Sequence, residues 1–354
     1  MEHKKDWLKL IPLGAFFLAA FFAVVPFIQL PRVAGGGGVS GVFQPADPSK
    51  LSLAWGIERI SAPKAWERTT GSEEIVVAVI DSGIDASVPQ LARRLWTNPD
   101  EIAGNKIDDD RNGYVDDIHG WDFRDNDASS TNGSKIHWHG TFVAGIIAAQ
   151  PGAGKVTGVA PGVRIMDVRF LDSKNLFYSK DWNAFAKAVD YAVDNGARII
   201  NLSVYANGTP PAVLERALQR AAHHGVIVVG IAGNDSKPQV CYPAKYPSVL
   251  AVSATNSDDR LASFSNQGGE VAVAAPGEQI TSLFPGGAVG TSSGTSFSAP
   301  HVSGTLALIL SANPGLSPSE AIDRLKESSV DLGERGQDPH FGAGLINAGQ
   351  AVAG

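Results

Sequence analysis

Apolar positions in this chain fall into two alternating rhythms. Short continuous runs at residues 75–80, 163–170, 199–204, 226–231 and 249–253 read as strands buried on both faces, because such strands show no polar alternation. Helical patterns lie between and after them. Residues 139–150 read as a helix that starts at its histidine. Over residues 181–195, Trp182, Phe185, Val189 and Val193 recur on one helical face, and Gly196 supplies the stop. Pro210 and Pro211 open a further helix that ends at Gly225. Residues 296–310 are apolar enough for a buried helix, with Pro300 tolerable only near its first turn. Ser317 and Glu320 form a capping box that starts the last long helix. Strands alternating with helices predict an α/β fold with a doubly wound, mainly parallel sheet, helices on both faces and right-handed crossovers. Ligands in such folds bind at the carboxyl ends of strands. Asp81, Ser203 and Asn234 each follow an apolar strand.

The N-terminus departs from this alternation. Lys4, Lys5 and Lys9 precede residues 11–30, a run without a charged residue. A basic flank before an apolar run is an export signal. The run matches the roughly 20 residues of a bilayer-spanning helix, whereas a signal-peptide core is shorter, roughly 7–15 residues. Val33-Ala34-Gly35 is a poor cleavage site. Residues 1–34 are assigned as a signal anchor or a signal peptide, 35–50 as a Gly-rich linker and 51–354 as one globular domain. The basic side stays inside. The body is therefore expected outside the cytoplasm, held to the membrane by the apolar segment or secreted after cleavage.

With 354 residues, 44% of them hydrophobic, the chain can build a large core. A net charge of -7 and the lack of a basic stripe exclude nucleic acid as an expected partner. Cys241 is the only cysteine, so no internal disulfide can form.

Three segments carry chemistry: Val79-Ile80-Asp81-Ser82-Gly83, His139-Gly140-Thr141-Phe142-Val143-Ala144-Gly145 and Gly294-Thr295-Ser296-Phe297-Ser298-Ala299-Pro300. A serine hydroxyl is a poor nucleophile at neutral pH. It needs an imidazole to take its proton, and the imidazole needs a partner that fixes its tautomer. Ser296 is the candidate nucleophile, His139 its general base and later its acid, and Asp81 the orienting carboxylate. Ser296 opens a helix, where free N–H groups and the dipole favour a developing oxyanion. Asn234, in Ala232-Gly233-Asn234 after a strand, offers a second oxyanion donor. Each residue alone has an ordinary structural explanation as a turn, cap or loop residue. The ordered set does not. His137 competes with His139 as base, but only His139 leads into Gly-Thr and a helix. His223 and His224 suit a helix C-terminus.

These residues resemble those of the subtilisin-like serine proteases, the subtilases of peptidase family S8. The resemblance covers roughly residues 51–352. Trp55-Gly56-Ile57-Glu58-Arg59-Ile60 and Ala62-Pro63-Lys64-Ala65-Trp66 look like the family's mature start, and Gly342-Ala343-Gly344-Leu345-Ile346-Asn347-Ala348 like its usual close. It implies a monomeric serine endopeptidase that hydrolyses extended polypeptide segments through an Asp-His-Ser triad and an acyl-enzyme. It also implies that the strand ending at Ser203 pairs with the substrate backbone. Ser203, Val204, Tyr205 and Gly233 would line the primary pocket, with Cys241 at its floor. Tyr205 stands where the family usually has Gly, and is expected to narrow a subsite or wall it. Cys241 before Tyr242-Pro243 predicts a shallow, uncharged pocket that prefers apolar P1 residues. Only residues 31–50 separate the apolar run from the domain, so no long pro-domain is expected. Two alternatives stand beside this reading. One is a catalytically silent binding module at the cell surface. The other is an acid-adapted relative with a carboxylate base, against which His139 and Asn234 argue.

Asp108-Asp109-Asp110-Arg111-Asn112-Gly113 fits an Asp-x-Asp-x-Asn-Gly calcium loop. Alternate oxygens wrap a hard cation and the glycine permits the turn. The twelfth position is His119 rather than Glu, so this is not an EF-hand, and Asp116 or Asp117 would supply the missing carboxylate. A structural Ca2+ is expected at Asp108, Asp110, Asn112 and Asp117, in line with the calcium loops frequent in the resembled family. The chemistry itself needs no cofactor.

Overall fold

The computed structural model describes residues 54–128, 136–151 and 156–353, together with the backbone of Gln44–Pro45. The apolar run at 11–30, the assignment of 1–34 and the rest of the linker lie outside the described residues. Among the described residues no helix is long and apolar enough to cross a membrane.

The strands in chain order are β1 (Gln44–Pro45), β2 (Val76–Asp81), β3 (Gly120–Asp122), β4 (Arg164–Arg169), β5 (Ile199–Leu202), β6 (Ile227–Ile231), β7 (Val249–Thr255), β8 (Val271–Pro276), β9 (Ile280–Leu283) and β10 (Val289–Ser292). The helices are α1 (Trp55–Arg59), α2 (Ala62–Trp66), α3 (Pro89–Ala92), α4 (Trp138–Ala148), α5 (Trp182–Asp194), α6 (Ala212–His223), α7 (Thr295–Ala312), α8 (Pro318–Glu327) and α9 (Ala348–Ala351). Seven strands form one sheet in the order β3-β4-β2-β5-β6-β7-β8, and every neighbouring pair is parallel. A small antiparallel sheet runs β1-β10-β9. Two residues of the expected linker are thus held as a strand against β10.

Alternation along β2 explains the layers. Val77 and Val79 point into a core shared with α4, α7, α8 and α9, while Val76, Ala78 and Ile80 point into a second core under α5 and α6. Both faces are covered, as the continuous apolar runs require. Helix α7 is buried from Thr295 to Leu310, so no polar face marks it in sequence. Gly196 and Gly225 close α5 and α6 with φ of 78° each, a left-handed conformation that favours glycine. Ser317 Oγ accepts from the Glu320 N–H at 3.3 Å, and Glu320 returns a carboxylate to the Ser317 N–H at 2.8 Å, which is the expected capping box.

Besides short elements such as β3 and α3, which the sequence reading did not assign, other features depart from it. Strand β8, with its Val-Ala-Val-Ala-Ala-Pro run, offers bulky side chains only at Val271 and Val273, and Pro276 is accepted because β8 is an edge strand. The β9–β10 hairpin was likewise unassigned. Strand β5 stops at Leu202, two residues early. Beyond it Ala206 pairs instead with Tyr242, through N–H···O bonds of 2.7 and 3.1 Å.

Helix α7 also buries His301, whose Nδ1–H donates to the Phe297 carbonyl at 2.7 Å. Burial pushes its pKa down to about 4. The unfolded chain therefore takes this proton below pH ~6.5 and the folded chain only near 4. Stability is complete above that window and falls as pH drops through it, by on the order of 3 kcal/mol at its lower end. Urea unfolding of the wild type between pH 7 and 4.5 should show this slope, and His301→Gln should flatten it. Equal slopes would refute the assignment.

Candidate active site

The carboxyl end of β2 lies between β4 and β5, where the connections depart to opposite sides of the sheet. Asp81, the last residue of β2, faces His139 with both oxygens. His139 Nδ1 lies 2.8 Å from Oδ1 and 3.0 Å from Oδ2, and both residues are buried. The Ser82 N–H also donates to Asp81 Oδ1, at 2.7 Å. Ser82 then stitches β2 to α4: its Oγ donates to the His137 carbonyl at 3.1 Å and accepts from the Gly140 N–H at 3.0 Å. A Cβ on Gly140 would lie 2.5 Å from the Gly83 carbonyl oxygen, so only glycine lets α4 approach this closely. Since the carboxylate can only accept, Nδ1 carries the ring proton and the Nε2 lone pair is left open. Nε2 is buried and has no hydrogen-bond partner among the described residues.

His137 has a different set of contacts. Its Nδ1 caps α4, accepting from the His139 N–H at 3.3 Å. Burial, and secondarily the neighbouring His139, push its pKa down to about 4.

Ser296 is the second residue of α7, after an extended Gly294. Its Oγ donates to the Ser203 carbonyl at 3.3 Å rather than to His139. The next residue, Phe297, holds its ring 5.6 Å from the His139 ring, so the start of α7 borders the imidazole. Trp138 stacks on Phe284 at 4.9 Å and backs this corner.

Asn234 has its orientation fixed by α7. Its Oδ1 accepts from the Thr295 N–H at 2.8 Å and from the Thr295 hydroxyl at 2.7 Å. The nitrogen Nδ2 is buried with no partner among the described residues. Leaving a buried donor unpaired costs about 1–3 kcal/mol, and such a group suits a site whose ligand brings the acceptor. Gly233 has a φ of 114°, and a Cβ there would lie 2.5 Å from Asn266 Nδ2 and 2.9 Å from Cys241 Sγ.

The expected pocket residues separate in role. Ser203 and Val204 follow β5 and are buried. Tyr205 is not an exposed wall: its ring belongs to the core and its hydroxyl donates to Asp235 Oδ1 at 3.4 Å. Cys241 is buried against Gly233, and its Sγ accepts from Asn266 Nδ2 at 3.1 Å. Burial pushes the thiol pKa up to about 11, so it is an unreactive thiol at neutral pH.

The acidic loop brings together two of its four expected ligands and adds one. Carboxylate oxygens of Glu101, Asp110 and Asp117 lie within 4.8 Å of one another. Asp117 is fully buried and accepts from Tyr191 Oη at 2.6 Å, Asn98 Nδ2 at 2.9 Å and Asn112 Nδ2 at 3.1 Å. Burial holds its carboxyl above the usual range despite these donors. Asn112 presents its nitrogen to the cluster, because its oxygen accepts from the Tyr114 N–H at 2.8 Å. Asp108 caps the Asn112 and Gly113 N–H groups, at 3.0 and 2.9 Å. The sequence reading missed Glu101 because it stands outside the motif, in a segment without spacing of its own.

Residues 72–344 match the family described as the subtilase family, Peptidase_S8. Subtilisin E of Bacillus subtilis (strain 168) is 37% identical over 306 residues, covering 85% of this chain and 71% of that protein. Subtilisin of Bacillus pumilus is 37% identical over 306 residues, with 85% and 99% covered. Thermitase of Thermoactinomyces vulgaris is 34% identical over 312 residues, with 88% and 99% covered.

Proposed function

The chain belongs to the subtilase family and is a serine-type endopeptidase acting on polypeptides, and we propose that Asp81, His139 and Ser296 carry its chemistry. One observation carries this reading. The imidazole is locked by Asp81 through Nδ1 while Nε2 stays buried and unpartnered, in a site where the amide nitrogen of Asn234 is unpartnered too. Rotation of Ser296 about χ1 turns its hydroxyl from the Ser203 carbonyl to Nε2. His139 then takes the proton as Oγ bonds to the scissile carbonyl carbon. The oxyanion accepts from Asn234 Nδ2 and from an N–H in the first turn of α7. As the C–N bond breaks, His139 gives the proton to the leaving amine. Water enters next, gives a proton to His139 as its oxygen bonds to the acyl carbon, and His139 returns that proton to Ser296 Oγ as the ester C–O bond breaks and the acid leaves.

Substrates are extended segments laid beside residues 203–205, where the chain has left the sheet ladder. Cys241 sets an apolar, shallow P1 pocket. Cys241→Gly removes the sulfur beside Gly233 and should shift cleavage toward large P1 side chains. An unchanged profile on a peptide library would dismiss this floor. Labelling by a fluorophosphonate tests the central reading. The wild type should label and Ser296→Ala should not. A wild type that stays unlabelled would instead favour the silent binding module.

The acidic loop is read as a structural Ca2+ site held by Glu101, Asp110 and Asp117. Three converging carboxylates suit a hard cation, which would relieve their repulsion and brace the loop against self-cleavage. Saturation at 100 times Kd stabilises by about 2.7 kcal/mol, or roughly 4 °C in Tm for a domain of about 300 residues. EDTA should remove that shift and speed autolysis, and Glu101→Gln should make the protein indifferent to EDTA. Equal Tm and autolysis with and without chelator would refute the site.

The basic flank and apolar run before residue 31 support export, with the domain outside the cytoplasm. Mass spectrometry of the exported protein's N-terminus separates a retained anchor from a cleaved signal.

A further inference from the structure

Helix α7 carries Pro300 as its sixth residue, beyond the first turn. Proline has no N–H, so the carbonyl four residues earlier loses its helical donor. That carbonyl belongs to Ser296. It sits in a buried stretch where an unpaired acceptor is unfavourable. Ser203 fills the gap, donating Oγ–H to the Ser296 carbonyl at 2.8 Å.

The direction of every bond behind this one then follows. Because the Ser203 hydroxyl spends its proton on the carbonyl, its oxygen accepts from behind. The donor is Asn201 Nδ2 at 2.9 Å. With its nitrogen committed, Asn201 turns Oδ1 the other way, where Ser303 Oγ donates at 2.9 Å. Ser303 is on α7 itself, seven residues past Ser296. The relay therefore leaves α7, crosses the end of β5 and returns to α7 at the carbonyl left without its helical donor. All four side chains are buried, with Asn201, Ser296 and Ser303 at 0% exposure and Ser203 at 1%.

We propose that Asn201 and Ser303 are positioning residues that hold the Ser203 hydroxyl in its donating orientation and thereby fix the backbone of the nucleophile. This rests on the reading of Ser296 given above. Ser303 is the polarity setter. Without its hydroxyl, Asn201 Oδ1 is unpaired and nothing behind the amide holds its orientation, so Nδ2 no longer keeps a fixed place against Ser203 Oγ. The Ser203 hydroxyl is then free to swing from the Ser296 carbonyl, and the first turn of α7 loosens where the reacting hydroxyl must be placed; an acceptor at both ends of residue 201 takes the Ser203 proton outright. Neither residue touches substrate, so acylation should suffer and binding should not.

The test uses Ser303→Ala, Asn201→Asp (an acceptor at both ends) and Ser303→Thr, which restores a hydroxyl. A fluorophosphonate titrates competent sites, and kcat and KM on a peptide amide are measured per titrated site. Ser303→Ala and Asn201→Asp should lose roughly tenfold to a hundredfold in kcat, the scale of a small misplacement of a reacting group. KM should stay within about twofold, because ground-state binding is untouched. Ser303→Thr should recover most of the rate. A Ser303→Ala enzyme with wild-type kcat per titrated site overturns the proposal, even if its Tm and titrated fraction fall, because that is the signature of a merely structural role. Labelling that persists in Ser296→Ala removes the nucleophile reading instead, and this proposal with it.

Discussion

Ser296→Ala and His139→Ala should each lower kcat by on the order of 10⁴–10⁶, and the double variant should be no slower than the slower single one. That is the scale of the losses in subtilisin's own triad. The non-additivity is the sharper test. Once the base is gone the hydroxyl cannot be activated, and once the hydroxyl is gone the base has nothing to activate, so the second loss finds no function to remove. KM should change little, since neither side chain holds the substrate chain. Turnover of a peptide amide by protein free of wild-type contamination provides the measurement. Losses that multiply would mean that the two residues act independently.

Asn234→Asp should lower kcat by about 10²–10³ with KM nearly unchanged, a cost of about 2.7–4 kcal/mol that is again the figure for subtilisin's Asn donor. The choice of Asp follows from the contacts. Asn234 Oδ1 anchors the Thr295 N–H and hydroxyl, and Asp keeps that acceptor. The unpartnered Nδ2 donor is replaced by a carboxylate oxygen, so the helix start should survive while the oxyanion loses its partner and meets a like charge. The donor meets full negative charge only in the transition state, so kcat carries the loss. Asn234→Ala deletes both contacts and should additionally lower Tm. An Asn234→Asp enzyme with raised KM and intact kcat would assign Asn234 to substrate binding instead.

Much of the chain's organisation was legible because it is local. A buried strand announces itself by an unbroken apolar run, a capping box by its three-residue offset, and a left-handed helix end by Gly196 or Gly225. The segments around Asp81, His139 and Ser296 were legible for the same reason, since each needs glycine and small neighbours within a few positions. The Gly140 contact with Gly83 shows why: the glycine is demanded by close backbone approach. Strand β8 was not assigned, because its Val-Ala alternation offers little contrast between the faces and a proline stands at its end.

The sequence by itself determined the parts: the alternating strands and helices, the order of acid, base and hydroxyl, and an oxygen-rich loop. It did so because backbone geometry, capping and turn chemistry act between residues a few positions apart. Only the tertiary structure decided which atoms meet. It gave Asp81 the Nδ1 of His139, brought Glu101 to Asp110 and Asp117, drew Tyr205 inward to Asp235, and closed Asn201, Ser203 and Ser303 around a carbonyl that Pro300 had left without a donor. Those outcomes depend on buried polar groups finding partners across the fold. Such pairing follows proximity in space, which separation along the chain does not encode.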